Sequence, residues 1–162
     1  MISERLDVRI TVDGKTVNAC VPVRYLLSDF LRERARCVGV HVACGHGVCG
    51  ACTVAVDGVP TRACLVLAVQ VDGMEIQTIA SLPALEGDQE PQEGLTRLQR
   101  AFRDHHALQC GYCTPGLLVS TALFLARNPS PHRKQIVDHL NGHLCRCTGY
   151  ANIIAAIESV RR

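Results

Sequence analysis

The stretch Cys44-Gly45-His46-Gly47-Val48-Cys49-Gly50-Ala51-Cys52 sets three thiols at the spacing C-x4-C-x2-C, and a fourth, Cys64, follows after a hairpin's length of chain. Four thiolates in that run hold a two-iron, two-sulfide cluster. Gly45, Gly47 and Gly50 are interleaved with the sulfurs, and residues without a Cβ take positive φ and bring amides close. Amide N–H groups aimed at sulfur stabilise the reduced, more negative cluster, so the loop's geometry helps set its potential. The same letters satisfy G-x-G-x-x-G, but that dinucleotide fingerprint needs a helix opening behind it, and Thr53 onward reads as strand. Cys44-Gly45-His46 also resembles half of a site in which histidines replace two cysteines on one iron. No Cys-x-x-His completes it, so His46 reads as a solvated loop residue.

A second quartet lies downstream. Cys110 and Cys113 form a C-x2-C pair, and Cys145 and Cys147 form a C-x-C pair after enough chain for two helices. Taken alone, this set reads first as a tetrahedral zinc site in a non-redox interaction module. Cys110-Gly111-Tyr112-Cys113 ahead of a helix also fits a thiol-disulfide oxidoreductase, although that reading leaves Cys145 and Cys147 without a role. Cys20 and Cys37 complete neither set and are expected as small buried hydrophobes. His105 and His106, just ahead of Cys110, are expected as polar surface at a helix end.

The chain has 162 residues, ten of them cysteine, and a formal charge of +2. That length suits two small domains better than one large core, and clusters that cross-link distant segments would add stability that small cores lack. The opening residues, Met1 to Ile10, alternate charge with apolar side chains and hold no apolar run, so no secretory signal and no membrane span are expected. A cytoplasmic chain keeps its thiols reduced, which favours metal over a disulfide framework. The near-balanced charge, with no run of Lys and Arg, excludes nucleic acid as a partner.

Hydrophobic periodicity gives an α+β order. Asp13-Gly14, Asp57-Gly58 and Asp72-Gly73 mark tight turns between apolar, β-branched segments. Leu6, Val8, Ile10 and Val12 share one parity, answered by Val17, Ala19 and Val21, which predicts a half-buried hairpin. Tyr25 to Arg36 changes to a 3.6-residue period with Leu27, Phe30 and Leu31 on one face, which predicts a helix. A second hairpin is expected over Thr53 to Val56 and Val59 to Ala63, and a last strand over Met74 to Ile79. Ser81 to Gly94, with Pro83, Glu86, Asp88, Glu90, Pro91 and Glu93, reads as an acidic linker. Beyond it Leu95, Leu98 and Phe102 open a helical half. Thr114-Pro115 and Ser130-Pro131 are start signals for helices over Leu117 to Ala126 and up to Leu140, and a last helix runs from Asn152 to Val160. The expected domains are 1–82, a linker over 83–94, and 95–162.

Three segments together carry a family resemblance: the Cys44 to Thr53 run, Gln109-Cys110-Gly111-Tyr112-Cys113-Thr114-Pro115-Gly116, and Leu144-Cys145-Arg146-Cys147-Thr148-Gly149-Tyr150. They resemble the iron–sulfur small subunit of xanthine-dehydrogenase-type molybdenum hydroxylases. The resemblance implies an N-terminal β-grasp, plant-type ferredoxin-like [2Fe-2S] domain followed by a C-terminal four-helix [2Fe-2S]-binding bundle. It implies two [2Fe-2S] clusters, on Cys44, Cys49, Cys52 and Cys64 and on Cys110, Cys113, Cys145 and Cys147. By the same resemblance, the helical-domain cluster receives electrons first, from molybdopterin in a large subunit, with Gln109 and Cys147 approaching the pterin. The ferredoxin-type cluster passes them to an FAD subunit or, in some members, a cytochrome. Substrate chemistry would lie on the large subunit, with ring hydroxylation of an N-heteroaromatic compound or oxidation of an aldehyde as the expected overall reaction and no catalytic residue in this chain. Ala43 and His41 stand where the family usually has Gly and Lys.

Overall fold

Strands β1 (Arg5–Val12) and β2 (Lys15–Pro22) pair antiparallel in the register Val8↔Ala19 and Ile10↔Val17, turning at Asp13-Gly14 with both residues at positive φ. The computed structural model describes residues 4–88 and 91–161; residues 1–3 of the opening segment and Glu90 of the acidic stretch lie outside the described residues. β3 (Thr53–Val56) and β4 (Val59–Arg62) form the second hairpin, and β5 (Glu75–Gln77) lies parallel to β1 and antiparallel to β3. The resulting order, β2-β1-β5-β3-β4, is a mixed sheet curled over one helical segment. Val8, Ile10, Val12, Val21, Val54 and Ile76 from the sheet meet Leu27, Phe30 and Leu31 in one core, which is the β-grasp architecture that the family resemblance implied.

The helix expected over Tyr25 to Arg36 is shorter and differently wound. It comprises α1 (Leu27–Asp29) and a π-helical turn over Phe30–Arg34, closed by an i→i−5 bond from the Ala35 N–H to the Phe30 carbonyl at 3.0 Å. Spacings of three and four between Leu27, Phe30 and Leu31 suit either winding, so the period could not tell them apart. Arg36 at φ +57° ends the segment. Element ends elsewhere move by up to three residues: β4 stops at Arg62, where a 3-10 turn over Ala63–Leu65 carries Cys64, β5 is confined to three residues, and the helix expected from Leu117 opens at Thr114.

The acidic stretch is not wholly linker. Leu82–Glu86 is a short helix, α2, with Pro83 in its first turn and Gly87 in the left-handed conformation that ends it. Leu82 is fully buried in the second core. That core is built by α3 (Arg97–Asp104), α4 (Thr114–Arg127), α5 (Arg133–Leu140) and α6 (Ala151–Val160), which bury Leu98, Phe102, Leu117, Ile136, Ile153 and Ile157. The expected four helices are present. Cys113 rather than Thr114 occupies the N-cap of α4, and His132, boxed with Gln135, takes the cap of α5 in place of Ser130.

The two halves meet along α4 and β3, where Ala55, Val119 and Leu123 form a small apolar cluster. A Cβ on Gly116 would lie 2.4 Å from the Gly50 carbonyl oxygen and 2.7 Å from that of Ala51. Only glycine lets the first turn of α4 approach the cysteine loop this closely. Arg127 donates to the Gly58 carbonyl at 2.9 Å, and Arg62 donates to the Gly142 carbonyl, so both ends of the second hairpin are tied to the helical half. Among the described residues no helix is long and apolar enough to cross a membrane.

Candidate metal centres

Residues 37–52 form no regular helix or strand and carry Cys44, Cys49 and Cys52. Gly45, Gly47 and Gly50 all have positive φ, between 70° and 83°. A Cβ at Gly47 would strike Leu65 at 2.4 Å, so that glycine also lets the loop close over the Cys64 turn. The Cys49 amide points at the Cys44 sulfur at 3.5 Å, and with the amides of His46 and Val48 it holds the Cys44 thiol down to about 6. The sulfur-directed amides expected from the glycine pattern are therefore present. Cys52, at the start of β3, faces Cys64; both are buried, and burial, followed by the thiol of Cys64, pushes Cys52 up to about 11. Val48 and Leu65 form an exposed apolar lip beside this quartet.

The second quartet is assembled from two connections. Cys110 and Cys113 occupy the turn into α4, and Cys145 and Cys147 occupy the loop between α5 and α6. The Cys110 and Cys147 sulfurs stand 3.5 Å apart, and Cys113 is paired with Cys145. Burial first, and then Cys145, raises the Cys113 thiol to about 12. For Cys145, burial raises the pKa but the Thr148 hydroxyl, donating at 3.2 Å, and neighbouring amides lower it further, so the net shift is downward. The Tyr150 hydroxyl braces this loop: it accepts from the Cys145 N–H at 2.8 Å and donates to the His143 carbonyl at 3.0 Å. Gln109, Cys110 and Cys147 are exposed, whereas Cys113 and Cys145 are half-buried.

Thiols thus gather as two pairs within each quartet. The thiols pair as Cys52 with Cys64, Cys110 with Cys147 and Cys113 with Cys145, and a two-iron cluster takes two thiolates per iron. The residues fit the cluster. Cys20 departs from expectation: it is exposed on β2, the outer strand of the sheet, while Cys37 is half-buried beside Asp13, its thiol raised to about 11 by burial and then by that carboxylate. His46 and His106 are exposed and His105 is half-buried.

Sequence reasoning passed over the seam between the quartets. The Leu144 N–H donates to the Cys49 carbonyl at 2.9 Å, so a residue adjoining Cys145 is hydrogen-bonded to a cysteine of the first set. His143 is 2 % exposed, and its Nδ1 would be 2.5 Å from a Cβ on Gly50. Burial, then the nearby Arg62 guanidinium, lowers His143 to about 3 and His139 to about 4, so both rings are neutral at physiological pH. His139 is stacked on Phe124 with centroids 4.4 Å apart. On the other flank, Tyr112 stacks on His41.

One thiol quartet lies on a β-grasp loop and the other in a helical bundle, and each falls within a stretch that matches a [2Fe-2S]-binding family. Residues 10–90 match the family described as 2Fe-2S iron-sulfur cluster binding domain, and residues 84–158 match the [2Fe-2S] binding domain family. The nicotine 6-hydroxylase small subunit of Paenarthrobacter nicotinovorans is 43% identical over 155 residues, covering 96% of this chain and 89% of its own. Caffeine dehydrogenase subunit gamma of Pseudomonas sp. (strain CBB1) is 47% identical over 156 residues, covering 94% and 89%. The crystal structure of quinoline 2-oxidoreductase from Pseudomonas putida 86 superposes with a TM-score of 0.86 at 44% identity, covering 96% of this chain and 92% of that one. The aldehyde oxidoreductase of Desulfovibrio gigas superposes with a TM-score of 0.85 at 37% identity, but this chain spans only 17% of it. This chain belongs to the small iron–sulfur subunits of the xanthine dehydrogenase family of molybdenum hydroxylases and is an electron-transfer component of an oxidoreductase complex.

Proposed function

We propose that Cys44, Cys49, Cys52 and Cys64 hold one [2Fe-2S] cluster and Cys110, Cys113, Cys145 and Cys147 the other, and that electrons pass from molybdopterin on a large subunit through this chain to an FAD subunit. A cytochrome is the alternative acceptor. The observation that carries the reading is the hydrogen bond from the Leu144 N–H to the Cys49 carbonyl, which links the two sets of thiols through a short run of backbone. When bound, the clusters supply one-electron redox capacity. The chain's own residues do the rest: amides around Cys44 stabilise thiolate charge, Thr148 does the same at Cys145, and the apolar lining around Cys52 and Cys113 excludes water. Gln109 and the exposed Cys147 form the face that approaches the pterin, where a side-chain amide can donate or accept.

No group in this chain is assigned to substrate conversion. Relatives named for nicotine, caffeine and quinoline favour ring hydroxylation of an N-heteroaromatic compound over aldehyde oxidation as the reaction of the complex. The chain is read as cytoplasmic, with the ferredoxin-like unit ending before Leu82 and α2 counted with the helical unit, whose core takes Leu82 in. Isolation of the native complex tests this: about four irons per small subunit and a co-purifying molybdopterin-bearing subunit are expected. One zinc with two irons, or a chain that purifies alone with disulfide-exchange activity, would overturn it.

A further inference from the structure

We propose that His41 and Tyr112 form a clasp that fixes the Cys44 end of the first cysteine loop against the Cys110–Cys113 turn, which makes them positioning residues for electron passage between the quartets. The inference rests on the reading that both quartets hold iron. Tyr112 lies between two cysteines of the second set, and it engages the approach to Cys44 three times. Its hydroxyl donates to the Val42 carbonyl at 2.8 Å, its own carbonyl accepts from His41 Nδ1 at 2.8 Å, and the two rings stack with centroids 4.5 Å apart.

The far end of the first loop is already fixed to the helical half, by Leu144 on Cys49 and by His143 against Gly50. The Cys44 end is different. Among the described residues, the hydrogen bonds from residues 40–44 to the helical half are the two made with Tyr112. Behind that end, Arg32 donates to the Val40 carbonyl at 2.7 Å, which holds it to its own half. Tyr112 is 45% exposed, so its ring is not held there by burial. A loop pinned at one end swings about that pin, and the second pin removes the swing. With both clusters bound, the transfer so positioned would be one electron, an Fe2+ of one centre giving Fe3+ as an Fe3+ of the other gives Fe2+, with no bond made or broken in this chain. His41 and Tyr112 are neither oxidised nor reduced.

The test uses the full chain loaded with both clusters, comparing wild type with Tyr112→Phe, His41→Ala and His41→Gln. Iron content and the g-values of each centre are expected to match wild type in all three. Pulsed dipolar EPR of the fully reduced chain should show a broadened interspin distance distribution in Tyr112→Phe and more so in His41→Ala. Electron equilibration after flash photoreduction should slow by about tenfold in His41→Ala, as for other reactions that depend on sub-ångström placement. His41→Gln, which still donates to the Tyr112 carbonyl, should recover most of both readouts. Wild-type distance distributions and rates in variants that keep their iron would overturn the clasp. Loss of iron from Tyr112→Phe would also overturn it, by making the residue a folding requirement. A wild-type chain with one reducible centre would defeat the clasp together with the two-cluster reading.

Discussion

Gly116 and Gly111 lie five residues apart in one run of letters around Cys110 and Cys113, yet they answer to different constraints. At Gly116 a Cβ would be driven into two backbone carbonyls of the other half, which cannot turn aside. Gly116→Ala is expected to lower stability by about 1–3 kcal/mol through overpacking and to loosen the seam under the first loop. At Gly111 nothing lies within 4 Å of the added carbon, and only the φ of +79° resists, so Gly111→Ala should cost about 1–2 kcal/mol of backbone strain with the seam intact. Denaturant titration gives the two costs, and amide exchange at Cys49 and Leu144 separates them: protection should fall in Gly116→Ala alone. The sequence could flag Gly111 as a turn inside C-x2-C. It could not flag Gly116, because the carbonyls it makes room for are more than sixty residues away. His143, too, is placed by a partner far along the chain, since it packs against Gly50, and no local pattern could show that.

At the scale of elements, capping decides where helices begin. Glu86, at the end of α2, accepts from the Thr96 hydroxyl and from the Leu98 N–H at 3.1 Å, so its carboxylate closes the start of α3 across the acidic stretch. Glu86→Ala leaves those donors without a partner and should cost about 1–3 kcal/mol in a denaturant titration. The α4–α5 pair carries a pH dependence. His139 ordinarily titrates near 6.5 and is lowered to about 4 here, by burial and then by Arg62. The unfolded chain therefore binds a proton that the folded chain refuses. Stability is full above about pH 6.5 and is lost as the pH falls toward 4. Relative to neutral pH, the loss from this group is about 1–2 kcal/mol near pH 5. Burial raises the Glu86 pKa and so acts in the opposite sense, favouring the folded state toward acid. The decisive quantity is then the difference between wild type and His139→Gln, in which Glu86 cancels; the variant should have the flatter pH profile. Strand and helix identities were legible because Asp-Gly turns and apolar periods are local. The π-winding at Phe30 and the helix inside the acidic stretch were not, since both depend on partners elsewhere: Leu82 is helical because the second core takes it in.

For the whole molecule, the thiol spacings fixed which residues to gather, but the way the halves face each other rests on long-range contacts such as His41 with Tyr112, 71 residues apart. Cluster loading should reverse the sign of the chain's charge. Formal charge is +2 with neutral cysteines, and two oxidised clusters, each adding about two negative charges, bring it to about −2. On a neutral native gel the loaded chain should run toward the anode and the metal-free chain toward the cathode. Removing the clusters should also lower the melting temperature, because each one joins segments that the small cores alone hold weakly. Cys20→Ser, at an exposed position outside both quartets, should change neither iron content nor melting temperature, whereas Cys52→Ser should abolish one centre and leave the other.

The most direct measurement is a stepwise reductive titration of the loaded chain followed by EPR, with iron counted on the same sample. Two distinguishable paramagnetic signals and about four irons per chain are predicted. A single reducible signal, or zinc in the quartet of Cys110, Cys113, Cys145 and Cys147, would contradict the account.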